Sequence, residues 1–293
     1  MIVTLIRFAL IAPSGDAGTE PTPPIGLAYL AGMCKDADID VKGIDAAGRN
    51  LNKIFKIPKY NLRGNGLEID EIIKLIDPRT KIIGISSMFS HEWPYVRDCI
   101  QLIKENFSNT KIIIGGEHAT ALPEYCLHDC RAIDYIVLGE GEETWSEIIK
   151  KRGNNFDEIA GLAYLKNNKF VQTEIRKRIK NIDDIPWPDW NVFPIEPYLD
   201  NAVSFGPGSG RNMPILASRG CPYECTFCSN PLMFGRRYYT RDIDDLINQI
   251  KHYIEKYNIT GLQFYDLTAI VKKSWILEFC KTLKENNINL EWS

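Results

Sequence analysis

Over residues 1–151 the chain alternates continuous apolar runs, rich in isoleucine and valine, with amphipathic stretches, and this alternation constrains the fold more than any other feature. The spacing predicts strands over 4–11, 40–45, 81–86, 111–114 and 135–138, and helices over 25–35, 69–76, 95–107 and 143–151. Strands that are apolar on both faces and separated by helices imply a parallel sheet covered on both sides. That is a doubly wound, Rossmann-like α/β domain. The apolar start, Met1 to Ala12, has no basic leader and runs into a turn, so it reads as a buried first strand rather than a signal peptide.

Folds of this kind bind ligands at the carboxyl ends of their strands. There the loops read Pro13-Ser14-Gly15, Asp45-Ala46-Ala47-Gly48, Ser86-Ser87-Met88-Phe89-Ser90, Gly115-Gly116-Glu117-His118 and Gly139-Glu140-Gly141-Glu142. One such loop could simply turn the chain or cap a helix. Five together, small at every strand end, describe a crevice that admits a large flat ligand and lets backbone amides approach it.

Residues 152–212 read as a connector. A hairpin is expected to turn at Asn167-Asn168, between apolar segments at 161–165 and 170–173. The run Ile185-Pro186-Trp187-Pro188-Asp189-Trp190 is too rich in proline for regular structure, yet can pin its aromatic rings on a neighbouring surface. Residues 206–210, Gly-Pro-Gly-Ser-Gly, read as a flexible loop. A second strand–helix series fills 213–293: strand 213–218, helix 242–257, strand 261–265, helix 273–286 and a short run at 288–293. This is the beginning of a parallel barrel, a fold whose active sites form at the carboxyl ends of the strands.

Directly after the first of those strands stands Gly220-Cys221-Pro222-Tyr223-Glu224-Cys225-Thr226-Phe227-Cys228-Ser229. Three thiolates converging from one loop can hold a metal centre and leave one coordination position open for chemistry. A closed structural zinc site needs a fourth Cys or His at short spacing, and His252 and Cys280 lie too far along. Among the other cysteines, Cys34, Cys99 and Cys280 fall in helical patterns as core thiols. Cys126 and Cys130 could bind a metal with His128 from one helix face, but packing is the stronger reading, because cysteine is so often buried.

The bulk numbers exclude several classes. A net charge of −3 gives no reason to expect nucleic acid or an anionic membrane as partner, and no apolar run approaches the ~20 residues of a membrane span. At 293 residues, 44% hydrophobic and 25% charged, the chain has length for two domains and no need of a disulfide scaffold despite eight cysteines. A reducing cytoplasm fits this composition.

The run from Cys221 to Cys228, with Phe227 before its last cysteine, resembles the signature loop of the radical S-adenosylmethionine (SAM) enzymes. The first half resembles the cobalamin-binding domain fused to one branch of that superfamily. The matching features are Pro23-Pro24-Ile25-Gly26-Leu27, Gly84-Ile85-Ser86, Gly115-Gly116-Glu117-His118, Gly139-Glu140-Gly141-Glu142 and the Ile185–Trp190 linker. The resemblance covers essentially the whole chain. It implies a 4Fe–4S cluster on Cys221, Cys225 and Cys228, its fourth iron chelated by SAM. It further implies reductive cleavage of SAM to a 5′-deoxyadenosyl radical and, most often in this branch, cobalamin-dependent methyl transfer to an unactivated carbon. Ring closure and rearrangement are other outcomes. Phe227 is placed near the adenine, and Asp266 is either a SAM contact or a helix cap or turn residue. Ser14, Gly26, Ser86, Ser87, Gly115, Gly116, Gly139, Glu140 and Gly141 are the implied cobalamin contacts. The implied partners are an organic substrate and an electron donor such as flavodoxin or ferredoxin.

Two departures stand out. The Asp-x-His-x-x-Gly motif that supplies an axial histidine in many cobalamin proteins is absent. His118 follows the fourth predicted strand rather than the first and is not assigned to cobalt, and His91 reads as a surface or supporting histidine. The family's barrel has six strand–helix units, about 180 residues at roughly 30 per unit, whereas this sequence runs only from Cys221 to Ser293. The expectation is an incomplete barrel: a fragment, a split gene with the remaining barrel encoded separately, or a shortened chain. The alternative function is then a non-catalytic module that binds cobalamin or a cluster.

Overall fold

A computed structural model of the protein describes residues 1–15, 20–152, 155–203 and 210–293. In chain order, the first part runs β1 (Ile2–Arg7), β2 (Leu10–Pro13), α1 (Ile25–Asp36), β3 (Asp40–Asp45), α2 (Ala46–Arg49), β4 (Ile54–Ile57), β5 (Leu62–Asn65) and α3 (Ile69–Leu75). It continues through β6 (Thr80–Ser86), α4 (Trp93–Asn106), β7 (Lys111–Gly115), α5 (Glu117–Ala121), α6 (Pro123–Asp129), β8 (Tyr135–Val137) and α7 (Glu142–Lys150). The hairpin β9 (Leu162–Lys166) and β10 (Lys169–Gln172) then leads to α8 (Glu196–Asp200). The last part comprises β11 (Asn212–Ile215), β12 (Ser218–Arg219), α9 (Asn230–Met233), β13 (Tyr239–Thr240), α10 (Ile243–Tyr257), β14 (Gly261–Phe264), α11 (Lys273–Glu285) and β15 (Glu291–Trp292).

The main sheet has the order β10-β9-β8-β7-β6-β1-β3, parallel from β8 to β3. Its faces follow the two-residue period of a strand. Val3, Leu5, Ile82 and Ile113 pack on one side with α1 and α7, while Ile6, Ile83, Ile112 and Ile114 pack on the other with α3 and α4. On the first side, Trp145 lies against Gly84, where an added Cβ would meet the indole at 2.9 Å, and its Nε1–H donates to the Cys34 sulfur at 3.3 Å.

The expected strand over 4–11 is two strands. β1 ends at Arg7, where its pairing with β3 ends, and β2 joins β5 and β4 in a small antiparallel sheet. An unbroken apolar run carries no mark of where its partner ends, so this break is invisible without pairing. The hairpin does turn at Asn167 and Asn168, both left-handed (φ 50° and 62°). Within the region read as a connector, β9 pairs antiparallel with β8 and extends the main sheet. Residues 206–209 of the expected flexible loop lie outside the described residues.

The second part starts as a parallel series, β11-β14-β15. Asp242 caps α10 by accepting the Asp245 backbone N–H at 3.1 Å, and Asn258, left-handed at φ 49°, ends it. The Trp-Pro linker straps the two parts together. Trp190 is buried and donates to the Tyr253 hydroxyl at 3.2 Å, and Trp187 donates to Asp245 at 3.1 Å. Its path runs so close to α1 that an added Cβ on Gly32 would sit 2.5 Å from the Trp187 carbonyl oxygen. One apolar core therefore runs from the sheet through Trp190, Phe193 and Leu199 to Leu246, Ile250 and Phe279.

Candidate cofactor site

The chain order of the parallel strands reverses between β1 and β6, and such a switch point opens a crevice beyond the strand ends. A cavity of about 460 Å³ occupies that place. Of the residues expected at the cofactor, Gly26, Ser86, Gly115, Gly116, Gly139, Glu140 and Gly141 all line it. Its opposite wall comes from the second part: Leu216, Arg219, Met233, Phe234, Tyr265 and Leu267. An added Cβ would meet no atom closer than 3.5 Å at Gly115, Gly139 or Gly141, and none within 4 Å at Gly26. These glycines leave a cradle that side chains would otherwise fill, and the broad, flat face of the cobalamin ring fits such an open wall. Gly116 has a different reason: φ is 111° and an added Cβ would lie 2.6 Å from the Ser87 carbonyl oxygen.

Two expected contacts fall elsewhere. Ser14 is exposed and its N–H donates to Asn61 O at 3.1 Å, at the rim of the small sheet. Ser87 is buried behind the wall. Its N–H donates to Gly115 O at 2.8 Å, and its hydroxyl has no hydrogen-bond partner among the described residues. Glu140 lines the cavity, but its carboxylate already accepts from Arg178 Nε at 3.2 Å and from the Ile179 N–H at 3.1 Å.

The three loop cysteines are free thiols, Cys225 and Cys228 exposed and Cys221 half-buried. A turn brings two of them near in sequence, with the Cys228 N–H donating to Cys225 O at 3.0 Å, while the Cys221 sulfur lies 3.3 Å from the Thr268 hydroxyl after β14. Among the described residues, no three His, Cys, Asp or Glu side chains stand together as a metal-holding group. The donor chemistry nevertheless fits an iron–sulfur cluster: three soft thiols, free of disulfides and accessible on one irregular loop, at the carboxyl end of the barrel series. Phe227 is 91% exposed and touches no cavity wall, so its expected place at the adenine is not preformed.

Both ends of the loop are anchored to the first domain. Before it, Arg219 is buried and pairs with Glu142 Oε1 at 2.5 Å, and its guanidinium lies 3.5 Å from Glu140 Oε1. Burial alone would raise the Glu142 carboxyl, but the charge and hydrogen bond of Arg219 hold it below its ordinary value. After the loop, the Ser229 hydroxyl donates to Glu117 Oε1 at 2.6 Å. Sequence reading missed Arg219 and Arg178. An arginine beside a cysteine motif shows no periodicity that would announce its burial.

Asp266 follows β14 and caps no helix, since α11 begins only at Lys273. Its carboxylate accepts the Ala217 N–H at 3.0 Å and the Ser218 hydroxyl, tying the first two barrel strands together at their carboxyl ends. Burial pushes this carboxyl up to about 6 in spite of those hydrogen bonds. A folded pKa above the unfolded ~3.9 favours folding at low pH, and that contribution is lost as pH rises from about 4 to about 6. Urea unfolding at both ends of this window should show a fall in stability for the wild type that is about 1–3 kcal/mol smaller in Asp266→Asn. Equal pH dependence in the two proteins would remove the carboxyl from this role.

The remaining candidates are structural. His118 is buried, its Nδ1 paired with the Ser90 hydroxyl at 2.9 Å and its Nε2 3.5 Å from the Cys126 sulfur, and burial lowers its pKa. It does not line the cavity. The His91 Nε2–H donates to Ile11 O at 3.1 Å. Cys126 and Cys130 are buried, with thiols pushed by burial to about 12 and about 11, and His128 faces outward to Arg131 instead. Cys99 is a core thiol as expected, whereas Cys280 is only half-buried.

Fold and site together define a class: a cobalamin-type parallel α/β domain whose strand ends face the first, cysteine-bearing loop of a strand–helix barrel series. Residues 17–149 match the B12 binding domain family. The chain is 32% identical over 297 residues to an uncharacterized methyltransferase of Pyrococcus horikoshii, covering 99% of this chain and 59% of that protein. It is 25% identical to the cytidylyl-2-hydroxyethylphosphonate methyltransferase of Streptomyces wedmorensis, over 98% of this chain and 59% of that one. Its fold matches the radical SAM methyltransferase TsrM of Kitasatospora setae, solved with cobalamin and a [4Fe-4S] cluster bound, with a TM-score of 0.67 at 16% identity, over 98% of this chain and 51% of TsrM. The chain carries a B12-binding domain over residues 17–149, is similar over nearly its whole length to a methyltransferase of Pyrococcus horikoshii, and shares the fold of cobalamin-binding radical SAM enzymes. It spans a little over half the length of these relatives. No helix among the described residues is long and apolar enough to cross a membrane.

Proposed function

We propose that this chain carries the cofactor centre of a cobalamin-dependent radical SAM enzyme of the methyltransferase class. The observation that supports it most is the shared cavity, with the B12-binding domain's glycine-rich strand ends on one wall and the segment after Cys228 on the other. When bound, a 4Fe–4S cluster with SAM would supply a 5′-deoxyadenosyl radical, and cobalamin a methyl group for an unactivated carbon. Cys221, Cys225 and Cys228 would hold three irons and leave the fourth for SAM. The glycines at 26, 115, 139 and 141 admit the ring, and Met233 and Phe234 close the apolar wall that keeps water from it. Asp266, at the carboxyl end of the second barrel strand, is the polar group offered to SAM. An electron donor such as flavodoxin or ferredoxin supplies the reducing electron. The reducing cytoplasm, which keeps the free thiols reduced, is the compartment this reading requires.

Anaerobic reconstitution with ferrous iron and sulfide tests the reading. The expected product is a brown protein with about four irons per chain that binds hydroxocobalamin and, on reduction with SAM, forms 5′-deoxyadenosine. A colourless protein loaded with zinc overturns the cluster. A brown, cobalamin-loaded protein that never cleaves SAM overturns the enzyme and leaves a binding module.

A further inference from the structure

The cysteine loop is held at both of its ends by side chains of the loops that form the cobalamin crevice. Arg219, two residues before Cys221, reaches Glu142 at 2.5 Å, with Glu140 3.5 Å away. Ser229, directly after Cys228, donates to Glu117 at 2.6 Å. Glu140 lies in the loop after β8 and Glu142 opens α7 directly after it, while Glu117 opens α5 just after the end of β7. Arg178 closes the set from the linker side, donating to Glu140 at 3.2 Å and to Arg237 O at 2.6 Å. Gly220 is needed for this fit: φ is 88°, and an added Cβ would lie 2.1 Å from the Arg237 carbonyl oxygen. The loop between the anchors makes few contacts, with Tyr223, Cys225 and Phe227 exposed, so whatever orders it acts on the anchors directly. The segment that follows it, Met233 and Phe234, is itself a wall of the cavity.

We infer that Arg219 and Ser229 are positioning residues that clamp the cysteine loop to the cobalamin crevice, so that filling the cluster site strengthens cobalamin binding. The inference rests on the function proposed above. Ordering the loop between fixed ends sets Met233 and Phe234 in place before cobalamin arrives, and that ordering cost is then not met a second time. Linkage makes the effect reciprocal: cobalamin must retain the cluster by the same factor.

The experiment measures hydroxocobalamin dissociation constants for the iron-free and the reconstituted protein, with iron content determined in each. In the wild type, reconstitution should tighten cobalamin binding roughly 5- to 100-fold, the usual range of coupling between two sites. In Ser229→Ala, which removes one partly exposed hydrogen bond, the factor should fall at least about threefold while iron content and urea stability stay near wild type. A residue that merely supported the fold would shift both dissociation constants equally and leave their ratio alone. Cobalamin that binds equally well with and without the cluster overturns the coupling and leaves the proposed function standing. If neither cofactor binds, the function itself fails and the coupling with it.

Discussion

Cys225→Ala is expected to strip the reconstituted protein of iron, from about four per chain to below one, while the fold stays intact. In the proposed site three thiolates from one loop would hold the cluster with nothing in reserve, because no fourth cysteine or histidine lies within reach of the loop in sequence. Cys225 itself is exposed, so alanine there removes no packed contact, and urea stability of the iron-free protein should move by no more than about 0.5 kcal/mol. Iron analysis with the visible thiolate–iron absorbance reads the first effect, and equilibrium unfolding reads the second. Cobalamin affinity in this variant should equal that of the iron-free wild type, since the loop then has nothing to order it. A variant that keeps its iron would remove Cys225 from the site and with it the assignment of all three ligands.

Arg219→Met should cost about 3–5 kcal/mol of folding stability, which makes it the most disruptive single change at the site. The guanidinium is buried between Glu142 and Glu140 and stacks 5.4 Å from the Tyr29 ring centre, so methionine leaves Glu142 buried without a counter-ion, beside a Glu140 that keeps only Arg178 as ion-pair partner. Removing one partner of a buried ion pair is expensive because the other stays desolvated and charged. The sign of the pH dependence follows. In the wild type, Arg219 holds the Glu142 carboxyl below its ordinary value, so the pair contributes stability at neutral pH that is lost as the carboxyl protonates in acid. In the variant, burial acts unopposed and raises that carboxyl, so protonation relieves the penalty and the gap to wild type narrows as pH falls. The double variant Arg219→Met, Glu142→Met should recover most of the loss, as apolar replacements of whole buried pairs do. Urea titrations at neutral and acidic pH read all three outcomes, and a single-variant loss below about 1 kcal/mol would show that the pair is not buried as described.

Much of the architecture was legible because its signals are local. The strand at Asp40–Asp45 has the bounds that its apolar pattern predicts, the helices at 25–36 and 243–257 fall within a residue of expectation, and two asparagines mark the hairpin turn. What was not legible depends on partners distant in sequence. The run after Thr4 splits because β3 pairs only as far as Arg7, and the strands at 54–57 and 62–65 were missed because they form a small side sheet with β2 and the central one, Leu62-Arg63-Gly64-Asn65, carries no apolar alternation. Glu140 illustrates the same limit at the site. Its loop reads as a cofactor loop, and it lines the cavity, yet its carboxylate is occupied by Arg178 from 38 residues away.

The sequence alone determined the doubly wound parallel domain, the barrel series that follows it, the three thiols and the glycine-lined crevice. Each of these is written in spacing, in strand periodicity or in residue types that few other roles require. Only the tertiary structure decided how the two halves meet: Arg219 on Glu142, Ser229 on Glu117, Trp187 against Gly32, and one cavity walled by both. The physical reason is that buried ion pairs and interdomain contacts are set by where distant surfaces come to lie. A charged residue of this kind looks, in the sequence, like any other on a solvated face.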